Sequence, residues 1–472
     1  MNPAQDIDPR SQSVYRDKIS TVDSAGKRVR LFPKKPKGNF YNARTIVSIF
    51  LLLFLFVGPF LKINGHPLLL LNILERKFYI FGVAFWPQDL HLFGIGLITL
   101  IVFIVLFTAV FGRLFCGWAC PQSVFMEMVF RRIDFWIEGD EKAQKKLSAG
   151  PWTFSKIFKR GFKYAIYFSI AFLIGNTFLA YIIGKDELFK IISEPVSEHI
   201  AGFTAMVIFS ALTFANFAFF REQACTLVCP YGRLQGVLLD EKSIVVHYDF
   251  GRGEPRGKGK RTGTSKLGDC IDCHYCVDVC PTGIDIRNGT QLECINCTAC
   301  IDACNVIMDK IKLPRGLIRY ASFSKISGEI NKSFNLRVIG YTVFFLLVSG
   351  ILVTLLLNRK PIETTILRTP GSLYQEVIDD YISNLYNIKV VNKSYDNRKI
   401  SLELVEPETG RIRMIKEIVL IPDDLTESAF FIDIPSGDIN SSKIPILINV
   451  LSDGEVLENF KTTFVAPKRL EE

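Results

Sequence analysis

The sequence predicts a multi-domain integral membrane protein with about five transmembrane helices, a cysteine-rich insert and a β-rich C-terminal domain. Three observations predict this fold class. Long apolar blocks recur along the chain, two cysteine runs of identical spacing follow the fourth block, and short alternating runs fill the tail. A chain of 472 residues has room for two to four domains of this kind.

Long blocks that are almost free of charge predict the membrane helices. The blocks cover residues 44–61, 90–111, 161–183, 200–220 and 338–357. A helix of about 18 to 23 residues crosses a hydrocarbon core of about 30 Å. Buried core helices of a large soluble protein are the alternative, which the near absence of charge disfavours. We therefore expect these domains: 1–43, an N-terminal segment; 44–250, a membrane domain; 251–320, the cysteine-rich insert; 338–357, a fifth helix; and 361–472, the tail.

The distribution of Lys and Arg predicts the orientation. Segments 112–160 and 221–337 hold nine and seventeen of them, whereas loops 62–89 and 184–199 hold three and two. Because cytoplasmic loops retain more basic residues, the two basic segments and the N-terminus should be cytoplasmic if the chain lies in a bacterial inner membrane. The tail, 361–472, should then be periplasmic. The net charge of +9 is a topology signal and requires no nucleic-acid partner.

Eight of the twelve cysteines predict two 4Fe–4S clusters. They form the runs Cys270-x2-Cys273-x2-Cys276-x3-Cys280-Pro and Cys294-x2-Cys297-x2-Cys300-x3-Cys304. In two-cluster bacterial ferredoxins the fourth cysteine of each run ligates the other cluster. The expected ligand sets are therefore Cys270, Cys273, Cys276 and Cys304 for one cluster, and Cys294, Cys297, Cys300 and Cys280 for the other.

Two other readings of these runs are weaker. Cys-x2-Cys pairs also suit structural zinc, but two complete x2-x2-x3 repeats favour iron–sulphur clusters. A disulfide framework is disfavoured because the insert should face a reducing compartment.

The remaining four cysteines form two Cys-x3-Cys-Pro pairs, Cys116 with Cys120 and Cys225 with Cys229, just beyond the second and fourth blocks. Residues i and i+4 of a helix share a face, so each pair could offer two sulphurs to one ligand. Thiolates suit Cu(I), zinc or iron–sulphur centres. A pair could also cycle between dithiol and disulfide, or simply pack as small buried residues. The four form one copper or redox site if the second and fourth helices are neighbours.

Histidines offer little for haem. His91 and His199 lie at the outer ends of two predicted helices, and His66 lies in an outer loop. A haem or an outer metal site built from these three is one interpretation, and packing or hydrogen bonding at the interface is the favoured one.

Short β-rich runs predict an immunoglobulin-like sandwich in the tail. They are 388–392, 400–405, 414–421, 429–434, 446–451 and 460–465. Ile400, Leu402 and Leu404 alternate with polar residues, as in half-buried strands. Six or seven strands in about 90 residues are typical of such a sandwich. The tail holds no cysteine, so it should bind or position a partner.

Across nearly its whole length the chain resembles the FixG/CcoG family of cytochrome oxidase accessory proteins. The stretches that carry the resemblance are Phe85-Trp86-Pro87-Gln88-Asp89, Cys116-Gly117-Trp118-Ala119-Cys120-Pro121, Cys229-Pro230-Tyr231-Gly232-Arg233, both cluster runs and Pro314-Arg315-Gly316-Leu317. The resemblance implies reduction of Cu(II) to Cu(I) for the copper centre of a cbb-type oxidase. It also implies membrane lipid and either that oxidase or copper-delivery proteins as partners.

The electron donor is open, since the sequence has no G-x-G-x-x-G fingerprint in a strand–helix setting. Two other functions compete with copper reduction. One is a quinol-linked electron conduit to a periplasmic reductase. The other is a non-catalytic scaffold for oxidase assembly, with structural clusters and a docking tail.

Overall fold

The computed structural model describes residues 21, 27–63, 65–73, 77–259, 267–328, 336–371, 373–377, 380–394, 396–422, 424–452 and 454–467. Most of the predicted segment 1–43, residues 260–266 of the insert and the last residues of the tail lie outside this description. The chain divides into two compact units. The first comprises Met1–Leu61, Pro67–Arg76 and His91–Leu352, and the second comprises Lys62–His66, Lys77–Leu90 and Val353–Glu472.

The prediction of five membrane helices is confirmed. The helices long and apolar enough to cross a membrane are Asn39–Phe60, Pro87–Phe111, Phe154–Ile183, Ile200–Phe220 and Leu336–Leu357. The third span begins earlier than predicted, because its first turns are charged yet still helical. Thr153 caps this helix by accepting from the backbone N–H of Lys156. The Lys156 ammonium donates to the Gly150 carbonyl at 2.6 Å, so the charge is satisfied locally.

Shorter helices connect these spans. They are Leu114–Trp118, Pro121–Val124, Arg131–Ile137, Glu141–Ala149, Lys185–Ser193, Pro230–Leu238, Phe250–Gly253, Tyr275–Asp278, Ala299–Lys310 and Phe323–Ile326. Three segments are π-helical: Phe125–Phe130, Asn216–Phe220 and Ala224–Val228. Such segments insert an extra residue into a helical turn and are frequent at functional sites.

Buried ion pairs tie the connecting helix Arg131–Ile137 to the third and fourth spans. Asp134 accepts from Arg221 at 2.7 Å and from the Tyr167 hydroxyl at 2.8 Å. Lys163 lies 2.6 Å from Glu138. All of these side chains are buried, and a buried charge is tolerated only when it is paired in this way.

The cysteine-rich insert is closed by a two-stranded ribbon. Strand Val245–Tyr248 pairs antiparallel with strand Ile318–Ala321, with Val245 opposite Ala321. The ribbon joins the chain before the first cysteine run to the chain after the second. Its apolar face packs into the core of the insert, which also contains Ile284, Ile286, Ile301, Met308 and Leu317.

The tail folds as the predicted immunoglobulin-like sandwich. One sheet has the strand order Arg411–Met414, Leu425–Pro435, Tyr381–Asn392, Ile362–Arg368, with Gln375–Val377 also pairing with Tyr381–Asn392. The other has the order Ile418–Leu420, Arg398–Glu406, Lys443–Ser452, Glu455–Val465. Fully buried core residues come from both sheets, including Tyr386, Ile388, Phe430, Ile448 and Phe464. Strand Ile362–Arg368 was not predicted, since threonines and charged residues interrupt its apolar positions.

A buried ion-pair network in the second unit uses the aspartate of the Phe-Trp-Pro-Gln-Asp motif. Asp89 lies 2.7 Å from the Lys393 ammonium and 2.7 Å from the Arg359 guanidinium. Lys393 also lies 2.7 Å from Glu363. The side chains of Asp89 and Lys393 are each only 4% exposed. Asp89 is therefore a counter-charge for two buried cations, and it shares Lys393 with Glu363.

Candidate metal centres and the thiol cluster

The structure brings eight cysteines together in two groups. One cavity is lined by Cys270, Cys273, Cys276 and Cys304. A second is lined by Cys280, Cys294, Cys297 and Cys300, and Cys276 lines it as well as the first. Each group therefore combines three cysteines of one run with the last cysteine of the other. We call the first group the first cluster site and the second group the second cluster site.

The two cysteine runs have the same backbone shape. Asp272 and His274 in the first run, and Asn296 and Thr298 at the matching positions of the second, have left-handed φ angles between 52° and 65°. Non-glycine residues adopt this conformation at a cost of about 1 kcal/mol each. These residues turn the chain twice within a few residues, and a helix then starts at Tyr275 and at Ala299. The turns make three thiols of one run converge.

Burial of these thiols fits a bound metal cluster. Desolvation raises the pKa of Cys294 to about 12, and it does the same for Cys304. A thiol with so high a pKa ionises when a metal replaces its proton. Apolar side chains such as Val246, Ile284 and Ile286 line the second cavity beside the sulphurs. Four soft donors in a dry pocket are the ligand set of a 4Fe–4S cluster.

The two Cys-x3-Cys-Pro pairs also share one backbone shape. Cys116 lies in the helical turn Leu114–Trp118, and Cys225 lies in the π-helical turn Ala224–Val228. Cys120 and Cys229 are extended, and the proline after each begins a new helix. The expectation that each pair lies on one continuous helical face is therefore wrong. A residue before proline avoids the helical conformation, so the chain turns at the second cysteine.

These four cysteines lie near one another, and we call them the thiol cluster. Burial raises the pKa of the Cys225 thiol to about 12, and the nearby Cys120, Cys116 and Cys229 thiols add to the increase. Burial likewise raises the pKa of Cys116 to about 11. The Gln235 side-chain amide lies 3.3 Å from the Cys116 sulphur. A Cβ atom at Gly232 would lie 2.6 Å from the Cys225 carbonyl oxygen, so only glycine permits this packing.

The thiol cluster lies against the second cluster site. A Cβ atom at Gly117 would lie 2.4 Å from the carbonyl oxygen of Ile295, so the two backbones touch. The Trp118 indole donates to the Tyr320 hydroxyl at 3.2 Å, and that hydroxyl donates to the Asn296 carbonyl at 3.0 Å. Trp118, which lies between Cys116 and Cys120, is thereby linked through Tyr320 to Asn296, which lies between Cys294 and Cys297.

The histidines considered for haem make contacts of another kind. His66 stacks on Tyr79 with 5.6 Å between ring centroids and 10° between planes. His199 Nε2 lies 2.5 Å from a carboxylate oxygen of Glu194. The His66 contact is one of packing, whereas the ligand atoms of His199, Glu194 and Glu198 lie within 4.8 Å of one another and could hold a metal ion.

Three family models match the chain in separate places. A "4Fe-4S binding domain" matches residues 93–143, which include Cys116 and Cys120. A "4Fe-4S dicluster domain" matches residues 220–323, which include the other ten cysteines. An "IG-like fold at C-terminal of FixG" matches residues 352–467. Together with the five spans, these matches define a membrane-bound iron–sulphur electron-transfer protein of the oxidoreductase class.

Relatives then give the family. Protein RdxA of Cereibacter sphaeroides is 36% identical, over 79% of this chain and 82% of its own length. Nitrogen fixation protein FixG of Rhizobium meliloti is 32% identical, over 87% of each chain. Protein RdxB of Cereibacter sphaeroides is 34% identical, over 80% and 82%. A FixG-related protein of known structure from Vibrio parahaemolyticus covers 24% of this chain at 17% identity, with a TM-score of 0.21. The chain belongs to the FixG family.

Sequence reasoning missed several residues of these sites. Arg44 and Arg113 were counted only among the basic residues, Gln235 carried no signal, and Tyr320 entered only as the end of the stretch 314–320 that carries the family resemblance. Each touches its site through residues far away in the chain: Gln235 meets Cys116 across 119 positions, and Tyr320 meets Trp118 across 202. Of these residues, only Arg113 could have been identified from the sequence, because it lies in the turn just before Cys116.

Proposed function

We propose that this protein is a membrane cupric reductase that supplies Cu(I) for the copper centre of a cbb-type cytochrome oxidase. One observation carries the proposal: four cysteine thiols from two distant motifs lie near one another and next to a four-cysteine cluster site. The assignment of Cys270, Cys273, Cys276 and Cys304 to one cluster, and of Cys294, Cys297, Cys300 and Cys280 to the other, is part of the same proposal.

The two kinds of site divide the chemistry. Bound 4Fe–4S clusters supply electrons one at a time, which is the stoichiometry of Cu(II) reduction. The thiol cluster binds the copper substrate through soft sulphur donors, which prefer Cu(I) to Cu(II). Preference for the reduced ion makes its formation more favourable at this place. Gly117, Trp118 and Tyr320 hold the copper-binding residues against the second cluster site, and the short separation favours electron transfer.

The proposed orientation puts both cluster sites and the thiol cluster in the cytoplasm, and the β-sandwich in the periplasm. It rests on the excess of Lys and Arg in segments 112–160 and 221–337.

A matched pair of reporter cysteines tests the orientation. Asn440 and Lys142 are both exposed, and they lie in segments predicted to be on opposite sides. In intact spheroplasts a membrane-impermeant maleimide should label the Asn440→Cys protein above the parent background. It should label the Lys142→Cys protein only after the membrane is permeabilised. The opposite pattern would show that the orientation is reversed.

Copper reduction is tested directly with the purified full-length protein. Dithionite-reduced protein, freed of excess reductant under anaerobic conditions, is mixed with Cu(II) and a Cu(I)-specific chromophore. We expect bleaching of the reduced-cluster spectrum and appearance of Cu(I) in about one-to-one proportion to the electrons lost. If Cu(II) leaves the spectrum of the reduced protein unchanged, the cupric-reductase proposal is ruled out and the non-catalytic assembly scaffold remains. Rapid oxidation by a quinone but not by Cu(II) would favour the quinone-linked conduit.

A further inference from the structure

The two cluster sites differ in the charges placed around them. Two arginines lie near each site, and in the first site each one is neutralised. Arg287 lies near the Cys276 thiol and forms ion pairs with Asp285 at 2.6 Å and with Asp272 at 2.5 Å. Arg252, near the Cys304 thiol, pairs with Asp269 at 2.5 Å. The first site therefore has little net positive charge nearby.

The arginines of the second site bind backbone carbonyls. Arg44 Nε donates to the Gly117 carbonyl at 2.6 Å, and its charge acts on the Cys297 thiol. Arg113 donates to the carbonyls of Leu292 and Gly232, the latter at 2.7 Å. Its charge acts on both Cys294 and Cys116. Arg113 thus lies between the second cluster site and the thiol cluster.

Neither of these two guanidinium groups has a carboxylate within ion-pair distance among the described residues. Arg44 is 3% exposed and Arg113 is 5% exposed. One nitrogen of each, Nη2 of Arg44 and Nε of Arg113, is buried without a hydrogen-bond partner. An arginine stays charged in proteins, so these are buried positive charges without an ion-pair partner among the described residues. Such charges are costly unless an anion lies beside them.

A cluster held by four thiolates is that anion. It carries net negative charge, which grows by one unit on reduction, so a nearby positive charge stabilises the reduced form. Net charge and hydrogen bonds to sulphur are among the factors that set cluster potentials. Glu127 also acts on Cys297, but it is paired with Arg131 at 2.9 Å and adds no net charge. Glu293 acts on Arg113 from beyond ion-pair distance.

We propose that Arg44 and Arg113 hold the reduction potential of the second cluster site above that of the first, so that electrons settle beside the thiol cluster. The inference rests on the proposed electron-transfer function and adds a direction to it. Solvent at the first site, where Cys273 is exposed, acts in the opposite sense. The two buried guanidinium groups outweigh it because charge interactions strengthen where water is excluded.

A redox titration followed by low-temperature EPR measures this without copper. In the parent protein, the cluster reduced at the higher potential should be the one that disappears in Cys297→Ser. The cluster reduced at the lower potential should disappear in Cys273→Ser. The reverse assignment would overturn the proposal, whether or not the protein reduces copper.

Arginine variants separate charge from shape. Arg113→Gln should shift the higher-potential couple downward by at least a tenfold change in the ratio of reduced to oxidised cluster, which is 59 mV for one electron. The lower-potential couple should stay in place. Arg113→Lys keeps the charge but cannot keep both carbonyl contacts, so it should retain most of the potential. Equal shifts in both variants, or none, would contradict an electrostatic role.

Two further variants keep the test decisive. Arg44→Gln acts on the same site through a different contact and should shift the same couple in the same direction, even if Arg113→Gln loses iron. Arg315→Gln is the matched control, because Arg315 is an exposed arginine of the same insert, paired with Asp309 at 2.7 Å. It should leave both potentials unchanged. A shift in the control as large as that in Arg113→Gln would overturn the assignment.

Discussion

Replacing Cys116 and Cys120 together by serine should abolish tight Cu(I) binding and most cupric reduction while leaving both clusters in place. Removing a residue that hydrogen-bonds to a metal ligand lowers the metal affinity roughly 10- to 100-fold, and removing two of the ligands themselves should lower it further. Serine is nearly isosteric with cysteine but is a hard donor that holds Cu(I) poorly. The measurements are Cu(I) affinity by competition with a chromophoric chelator and the initial rate of Cu(II) reduction by pre-reduced protein. Iron content and the visible spectrum should match the parent.

The shared geometry makes a sharper prediction for the second pair. If all four thiols hold one copper ion, Cys225→Ser/Cys229→Ser should be as severe as the first double variant. The quadruple variant should then be no worse. Two independent sites would instead leave about half of the copper capacity in each double variant, with additive losses. Ala119→Ser is the matched control, because it adds a hydroxyl inside the same motif and removes no sulphur. Normal copper chemistry in both double variants would mean that the cysteines only pack.

Each cluster is expected to take its fourth cysteine from the other run, and the iron content of cysteine variants tests this arrangement. Cys280→Ala and Cys304→Ala should each reduce iron from about eight to about four per chain, because each removes one corner of one cluster. The informative variants are doubles that include Cys297→Ser. Cys280 and Cys297 line the same cavity, so removing both should still leave about four irons.

Cys304 lines the other cavity, so Cys304→Ala/Cys297→Ser should lose both clusters. A chain in which each run held its own cluster would give the opposite result for the two doubles. Iron and acid-labile sulphide assays distinguish these outcomes directly. Stoichiometric zinc with no sulphide in the parent protein would contradict both arrangements.

Local patterns in the sequence were sufficient for the spans and for the fold of the tail. Uninterrupted apolar length predicts a membrane helix, and the period-2 alternation around Ile400–Leu404 predicts strands of a sandwich. Both signals act within about 20 residues, which is the range over which hydrophobic periodicity can be seen. They fail where charge interrupts an apolar run but not the helix, as at Lys156, and where polar residues fill a real strand, as at Ile362–Arg368.

What could not be predicted depends on which distant elements are neighbours. The sequence offered one thiol site or two, and only the fold brings Cys225 close to Cys116. The i, i+4 spacing suggested one helical face, but the proline after Cys120 holds that cysteine in an extended conformation. Whether an arginine is paired is also a property of the folded chain. Arg287 and Arg113 look alike in sequence, yet one meets two carboxylates and the other meets carbonyls.

The ion pair between Asp89 and Lys393 has a consequence for how the protein is made. Its partners are 304 residues apart in the chain. At translation rates of 5–20 residues per second, roughly 15 to 60 s pass between the synthesis of Asp89 and that of Lys393. During this interval the aspartate has to remain hydrated, because burying it alone would cost several kcal/mol. Final packing of the Phe-Trp-Pro-Gln-Asp loop therefore waits until Arg359 and Lys393, which follow the fifth span, have been synthesised.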